Sequence, residues 1–162
     1  MTDASPTALV DYQQAFDGDA QLVASLPSEE DIAYWVSRVL AHQKMGTQEV
    51  TVRFVGEEES ATLNGDYRDK HYPTNVLSFP FEAPPGIELN LLGDLVVCVP
   101  VICKEAREQN KAVSDHYTHM IVHGVLHLMG FDHITDAEAQ EMEALEIAIL
   151  SRLGIDDPYQ EH

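Results

Sequence analysis

YTHMIVHGVLHLMGFDH, residues 117–133, decides how the whole chain is read. It carries His119, His123, His127 and His133, half of the eight histidines present. Most of its other members are apolar: Tyr117, Met120, Ile121, Val122, Val125, Leu126, Leu128 and Met129. A helix that is apolar nearly all round belongs at the centre of a domain. On such a helix His123 and His127 stand one turn apart on one face. Gly130 supplies the left-handed residue that ends helices, and the chain then turns back to bring His133 beside them. An imidazole among apolar neighbours costs free energy unless its polar atoms are satisfied. Three that converge make a metal site with a position left for water or substrate. His119 lies a further turn back, about 6 Å along the axis. The expected ligands are therefore His123, His127 and His133, with His119 a group behind them or a substrate contact. Asp132 either orients an imidazole or shapes the turn.

The spacing H-x-x-x-H-x-x-G-x-x-H is shared with the metzincin proteases, and one departure from them sets the chemistry. Those enzymes carry a glutamate directly after the first histidine as general base, and here that place is Gly124. Glycine accepts no proton. Metal-assisted hydrolysis of a phosphoryl or carbonyl centre remains in reach, while peptide hydrolysis lacks its base.

Outward from this helix, the periodicity and punctuation predict an α+β fold. It has a small mixed sheet of about four strands, with about five or six helices around the histidine helix. A first strand is expected over Ala8 to Phe16. Ser28 caps a helix whose stripe is Ile32, Trp35, Val36, Val39 and Leu40, with Gly46 ending it or opening the next turn. Glu49 to Val55 alternates as a half-buried strand. Glu57 to Asn64 reads as a short helix, and a polar loop leads to a strand over Val76 to Phe81, with Pro80 at its end or edge. Leu91 to Val99 is a nearly continuous apolar run, as in a strand covered on both faces. Asp94 inside it needs a donor or a place near the site. Pro100 opens a helix to about Asn110, and Ser114 is the expected cap of the central helix. Thr135 and Glu138 form a capping box for the last helix, whose core face is Met142, Leu145, Ile149 and Leu153 and which Gly154 ends.

With 162 residues and 44% hydrophobic content, one domain over 1–162 is expected, with 1–7 and 156–162 as flexible tails. No apolar run approaches the ~20 residues of a membrane span. The N-terminus lacks the basic and apolar segments of a signal peptide. Cys98 and Cys103 are too few for a disulfide framework, so the expectation is a soluble, cytoplasmic, reduced protein. The net charge of −19 argues against nonspecific nucleic-acid or membrane binding. The few cations cluster, however: Arg68, Lys70 and His71 together, and Lys104, Arg107 and Lys111 at helical spacing, which fits either a local positive groove on an acidic body or a solvated surface of scattered charges. Arg68, in a donor-rich loop, is free to meet an anionic group or to pair with Asp66, Asp69 or Asp94.

HGVLHLMGFDH at 123–133, YRDKHYPTNVLSFPF at 67–81 and LLGDLVVC at 91–98 together resemble the YbeY family of bacterial metallo-endoribonucleases. The resemblance covers most of the chain. It implies a zinc-dependent, single-strand-specific endoribonuclease that matures the 3′ end of small-subunit ribosomal RNA and serves ribosome quality control. It also implies the ribosome, ribosomal proteins and an assembly GTPase as partners. By the same resemblance His123, His127 and His133 bind one zinc ion and Arg68 faces it, which makes Arg68 the candidate to stabilise charge on a phosphodiester and Lys104, Arg107 and Lys111 weaker candidates for tracking an RNA backbone. At His71 the family pattern leads one to expect aspartate, so any orienting role of that aspartate towards Arg68 or Lys70 is altered here. Two other readings stand beside this one: a metallohydrolase of a different substrate, and a noncatalytic ribosome-assembly factor with structural zinc.

Overall fold

Ten elements follow one another in the computed structural model, which describes residues 7–86, 89–132 and 134–159. They are β1 (Leu9–Gln14), α1 (Ala20–Ala24), α2 (Glu29–His42), β2 (Glu49–Val55), α3 (Glu57–Arg68), β3 (Val76–Pro80), β4 (Leu91–Cys98), α4 (Val99–Glu108), α5 (Val113–Leu128) and α6 (Asp136–Arg152). The strands form one mixed sheet in the order β1-β2-β4-β3. The first three of these are parallel, and β3 runs antiparallel to β4 at the edge.

β4 reads as a nearly continuous apolar run because most of both its faces is covered, while β2 alternates, with Thr51 and Arg53 on the face that α3 leaves partly open. On one face Val50, Val52, Phe54, Leu95 and Val97 join α2, α5 and α6 in the main core. On the other, Val55, Leu77, Val96 and Cys98 pack beneath Leu63 of α3. The central position of α5 follows from its apolar girth: it touches α2, α4, α6, β3 and β4. Gly124 lets it lie close to the sheet, since a Cβ there would stand 2.8 Å from Leu95 Cδ2. Position 124 therefore faces the sheet, and no side chain there could serve as a base without displacing core atoms.

Capping chemistry explains several boundaries. Ser28 accepts from Asp31 N–H, and Thr135 accepts from Glu138 N–H while its hydroxyl donates to the Glu138 carboxylate. After α5 the chain closes through Gly130 at φ +101°, with Gly130 N–H donating to His127 O and Phe131 N–H to Leu126 O. This is the Schellman arrangement. It folds residues 130–132 back towards the histidine face.

Several expectations are corrected. α2 is ended by Lys44, left-handed at φ +56°, not by Gly46. The cap of α5 is Ala112, with no side-chain bond, and Ser114 lies inside the first turn, its carbonyl accepting from Thr118 Oγ1. α3 does not stop at Asn64 but runs on through Gly65 to Arg68, so Arg68 belongs to a helix and not to a loop. α1, five residues long, is too short to carry a periodicity legible in the sequence. α4 ends at Glu108, so Lys111 does not share its face with Lys104 and Arg107. Asp94 is exposed on β4, not buried. Gly93 beside it is at φ +139°, where a Cβ would strike the carbonyl of Phe79.

Candidate active site

A cleft of about 540 Å³ lies along the edge strand β3. One wall is the end of α5 and its closing turn, with His123, His127, Gly130, Phe131 and Asp132. The opposite wall is the last turn of α3, with Tyr67 and Arg68, and Thr74 to Ser78 form the floor. The histidine helix and Arg68, some fifty residues apart in sequence, thus face one space.

On α5 the rings of His123 and His127 meet edge to face, their centroids 4.6 Å apart. Both are half-buried, as groups on a cleft wall are. Behind them α6 presents Glu146, fully buried. Its Oε1 lies 2.6 Å from His123 Nδ1, and its Oε2 accepts from the Tyr159 hydroxyl at 2.5 Å. His119 Nε2 stands 3.4 Å from both Glu146 Oε1 and the Tyr159 hydroxyl. Burial alone would raise the Glu146 pKa, but hydrogen bonds from His119, His123 and Tyr159 and the field of His123 bring it down to about 2. A carboxylate only accepts, so the Nδ1 of His123 carries the proton and Nε2 is its lone-pair nitrogen. Burial lowers the pKa of His119, and burial with the Glu146 bond raises that of Tyr159.

Among the described residues, His123, His127 and Asp132 are the imidazole and carboxylate groups on the cleft wall. His133 lies outside the described residues. Arg68 is exposed and, among the described residues, makes no ion pair with Asp66, Asp69 or Asp94. Asp69, left-handed at φ +57°, turns the chain away directly after it. Lys70 and His71 follow on the exposed connection, and the His71 ring packs over Gly65, 3.5 Å from Asp69. Neither lines the cleft. Asp94 opens instead onto the other face of the sheet beside Thr51, Arg53 and Glu59. Lys104 and Arg107 are exposed on α4, while Lys111 is half-buried near His116 and lines a different hollow together with His119.

Sequence reasoning did not single out Glu146 or Tyr159 as site groups. Glu146 stood in view nonetheless: it falls four after Met142 and three before Ile149, a carboxylate within the core stripe of α6. The argument that singles out a histidine on an apolar face applies to it equally. Glu105 was missed as well. It accepts from His116 Nε2 at 2.9 Å and from Asn75 Nδ2 at 3.1 Å, tying α4 to α5 and to the start of β3.

The family model described as Endoribonuclease YbeY matches residues 19–154. Curated relatives bearing the same name include one from Alteromonas mediterranea, 62% identical over 94% of this chain and 97% of its own length. Others come from Colwellia psychrerythraea, 56% identical over 84% and 90%, and Chromohalobacter salexigens, 53% identical over 94% and 97%. Among solved structures, the solution structure of a Thermotoga maritima protein shares the fold. Its TM-score is 0.55 at 22% identity, covering 94% of this chain and 99% of that one. With a family model spanning most of its length and relatives more than half identical to it, the chain belongs to the YbeY endoribonuclease family.

Proposed function

We propose that this protein is a zinc-dependent endoribonuclease that cleaves single-stranded RNA, with maturation of the 3′ end of small-subunit ribosomal RNA as its cellular task. The observation that carries the reading is the meeting of His123, His127 and Arg68 on one cleft. The name borne by its relatives supports the RNA substrate. The donor set fits the metal: two neighbouring imidazoles, one with its Nδ1 proton fixed on a buried carboxylate. Cys98 packs against the far face of the sheet and Cys103 beside Ser25, so no thiolate is in reach. His123, His127 and His133 would hold the ion, which when bound would lower the pKa of a water and polarise a phosphoryl oxygen.

The remaining work falls to the chain's own groups. Arg68 offers a planar fork of donors to the phosphate oxygens as their charge grows. Glu146 and Tyr159 hold His123 in one tautomer and one orientation. Gly124, facing the sheet, contributes no base, which favours phosphodiester over peptide hydrolysis. The ribosome and an assembly GTPase are the proposed partners. The net charge of −19 supports dependence on such a partner, since RNA gains no general attraction to this surface.

The test is cleavage of a single-stranded RNA by purified, nuclease-free protein, with zinc measured per chain. His127→Ala is expected to lose both zinc and cleavage. Arg68→Ala is expected to keep zinc and lose at least about 100-fold in rate, the scale for a donor aimed at developing charge. Undiminished cleavage by either variant overturns the assignment.

A further inference from the structure

We propose that Tyr67 is the platform on which one nucleobase of the RNA stacks beside the scissile phosphate, an inference that deepens the endoribonuclease reading and rests on it. α3 packs Leu63 against the sheet and buries Ser60 and Asn64 against Thr74 and Tyr72 just before β3, and Tyr67 follows Leu63 by four and Asn64 by three. It therefore continues the packed stripe, at the edge strand β3. Its ring leans on Phe79 of β3 with centroids 4.5 Å apart and planes at 57°. Even so propped, Tyr67 remains 55% exposed, and it lines the cleft that holds His123 and His127.

An exposed aromatic alone needs no explanation. This one is different in three ways: a second ring fixes its orientation, it adjoins the cleft guanidinium in sequence, and it forms the wall opposite the histidines. An aromatic face next to a phosphate-binding cation is the pairing that single-stranded nucleic acid recognises, base on ring and phosphate on charge. Phe131, across the cleft, already packs into the main core and so is not the equivalent surface. A base that lies on Tyr67 must have left any helix it belonged to. The stack thereby favours unpaired RNA without reading its sequence.

The experiment uses the zinc-loaded full chain and a defined single-stranded oligoribonucleotide, intact or with one abasic residue walked past the cleavage point. Tyr67→Leu keeps an apolar side chain against Phe79 but has no π-face. It is expected to raise KM about ten-fold or more, the scale of one base–aromatic stack, with kcat changed far less. Tyr67→Phe is expected to recover most of that loss. One abasic position should cost the wild type a similar factor and cost Tyr67→Leu almost nothing. Wild-type KM in Tyr67→Leu, or an abasic penalty that persists undiminished in it, overturns the platform while leaving the endoribonuclease reading intact. A wild type that cleaves no RNA defeats that reading and the platform with it.

Discussion

At the scale of single residues, Glu146 has the largest influence for the least visibility. Its carboxylate is wholly buried, and three donors converge on it: the rings of His119 and His123 and the hydroxyl of Tyr159. A buried charge is tolerated only with such partners, and the return is a fixed proton on His123 Nδ1. Glu146→Gln keeps the shape but removes the charge, and its amide nitrogen can face His123 with a donor where an acceptor is required. Zinc affinity is expected to fall about 10- to 100-fold, the usual effect of losing a carboxylate behind a ligating histidine. Competition with a chelating dye measures this directly, without reference to activity. An unchanged dissociation constant would remove Glu146 from any role at the metal. Glu146 could have been found by applying to α6 the test applied to α5, a polar residue inside an apolar stripe. Tyr159 was harder to find: one tyrosine beyond the last helix carries no pattern.

At the scale of elements, Glu105 joins three of them. It stands on α4, accepts from His116 on α5, and accepts from Asn75 at the entry to β3, while Lys111 lies nearby. Partial burial opposes its charge, yet the bonds from His116 and Asn75 and the charges of His116 and Lys111 outweigh burial, and its pKa is lowered from 4.5. A depressed folded pKa adds stability above the unfolded value, and that stability disappears as pH falls through the folded value. Glu105→Gln should therefore lower the urea midpoint at neutral pH, and the gap to wild type should close as pH drops below 4.5. A gap of constant size across that range would show that Glu105 acts by shape alone. Elements defined by alternation or side-chain caps were legible beforehand, as β2, α2 and α6 show. Those set by tertiary contact were not. Gly65 reads as a helix breaker, but the His71 ring packs against it and α3 continues. Lys44, Asp69 and Asn110 take left-handed turns that sequence alone would assign to glycine. Asp94 looked buried because its neighbours are apolar, yet it emerges where α3 leaves the sheet uncovered.

At the scale of the whole molecule, the fold class follows from patterns that span the chain and the facing of α5 and Arg68 from the resemblance to the family, whereas the distribution of charge acts through space. The chain carries twenty-eight acidic residues against nine lysines and arginines, while the substrate proposed for its cleft is itself a polyanion. The two charge effects have different ranges. In the proposed reading Arg68 would meet phosphate at contact distance, while the acidic body repels RNA over the Debye length, about 30 Å at 0.01 M salt and about 10 Å at 0.1 M. Most nucleic-acid-binding proteins lose affinity steadily as salt rises, because bound cations compete for the phosphates. Here the first increments of salt should mainly screen the body, and only further additions should weaken the contact at Arg68. The expected kcat/KM on naked single-stranded RNA therefore rises from about 0.01 to about 0.1 M salt before it declines. Initial rates at constant free zinc across that range measure it. A steady fall from the lowest salt would mean that the cleft cations dominate at every distance, and the need for a partner to deliver RNA would lose its electrostatic basis.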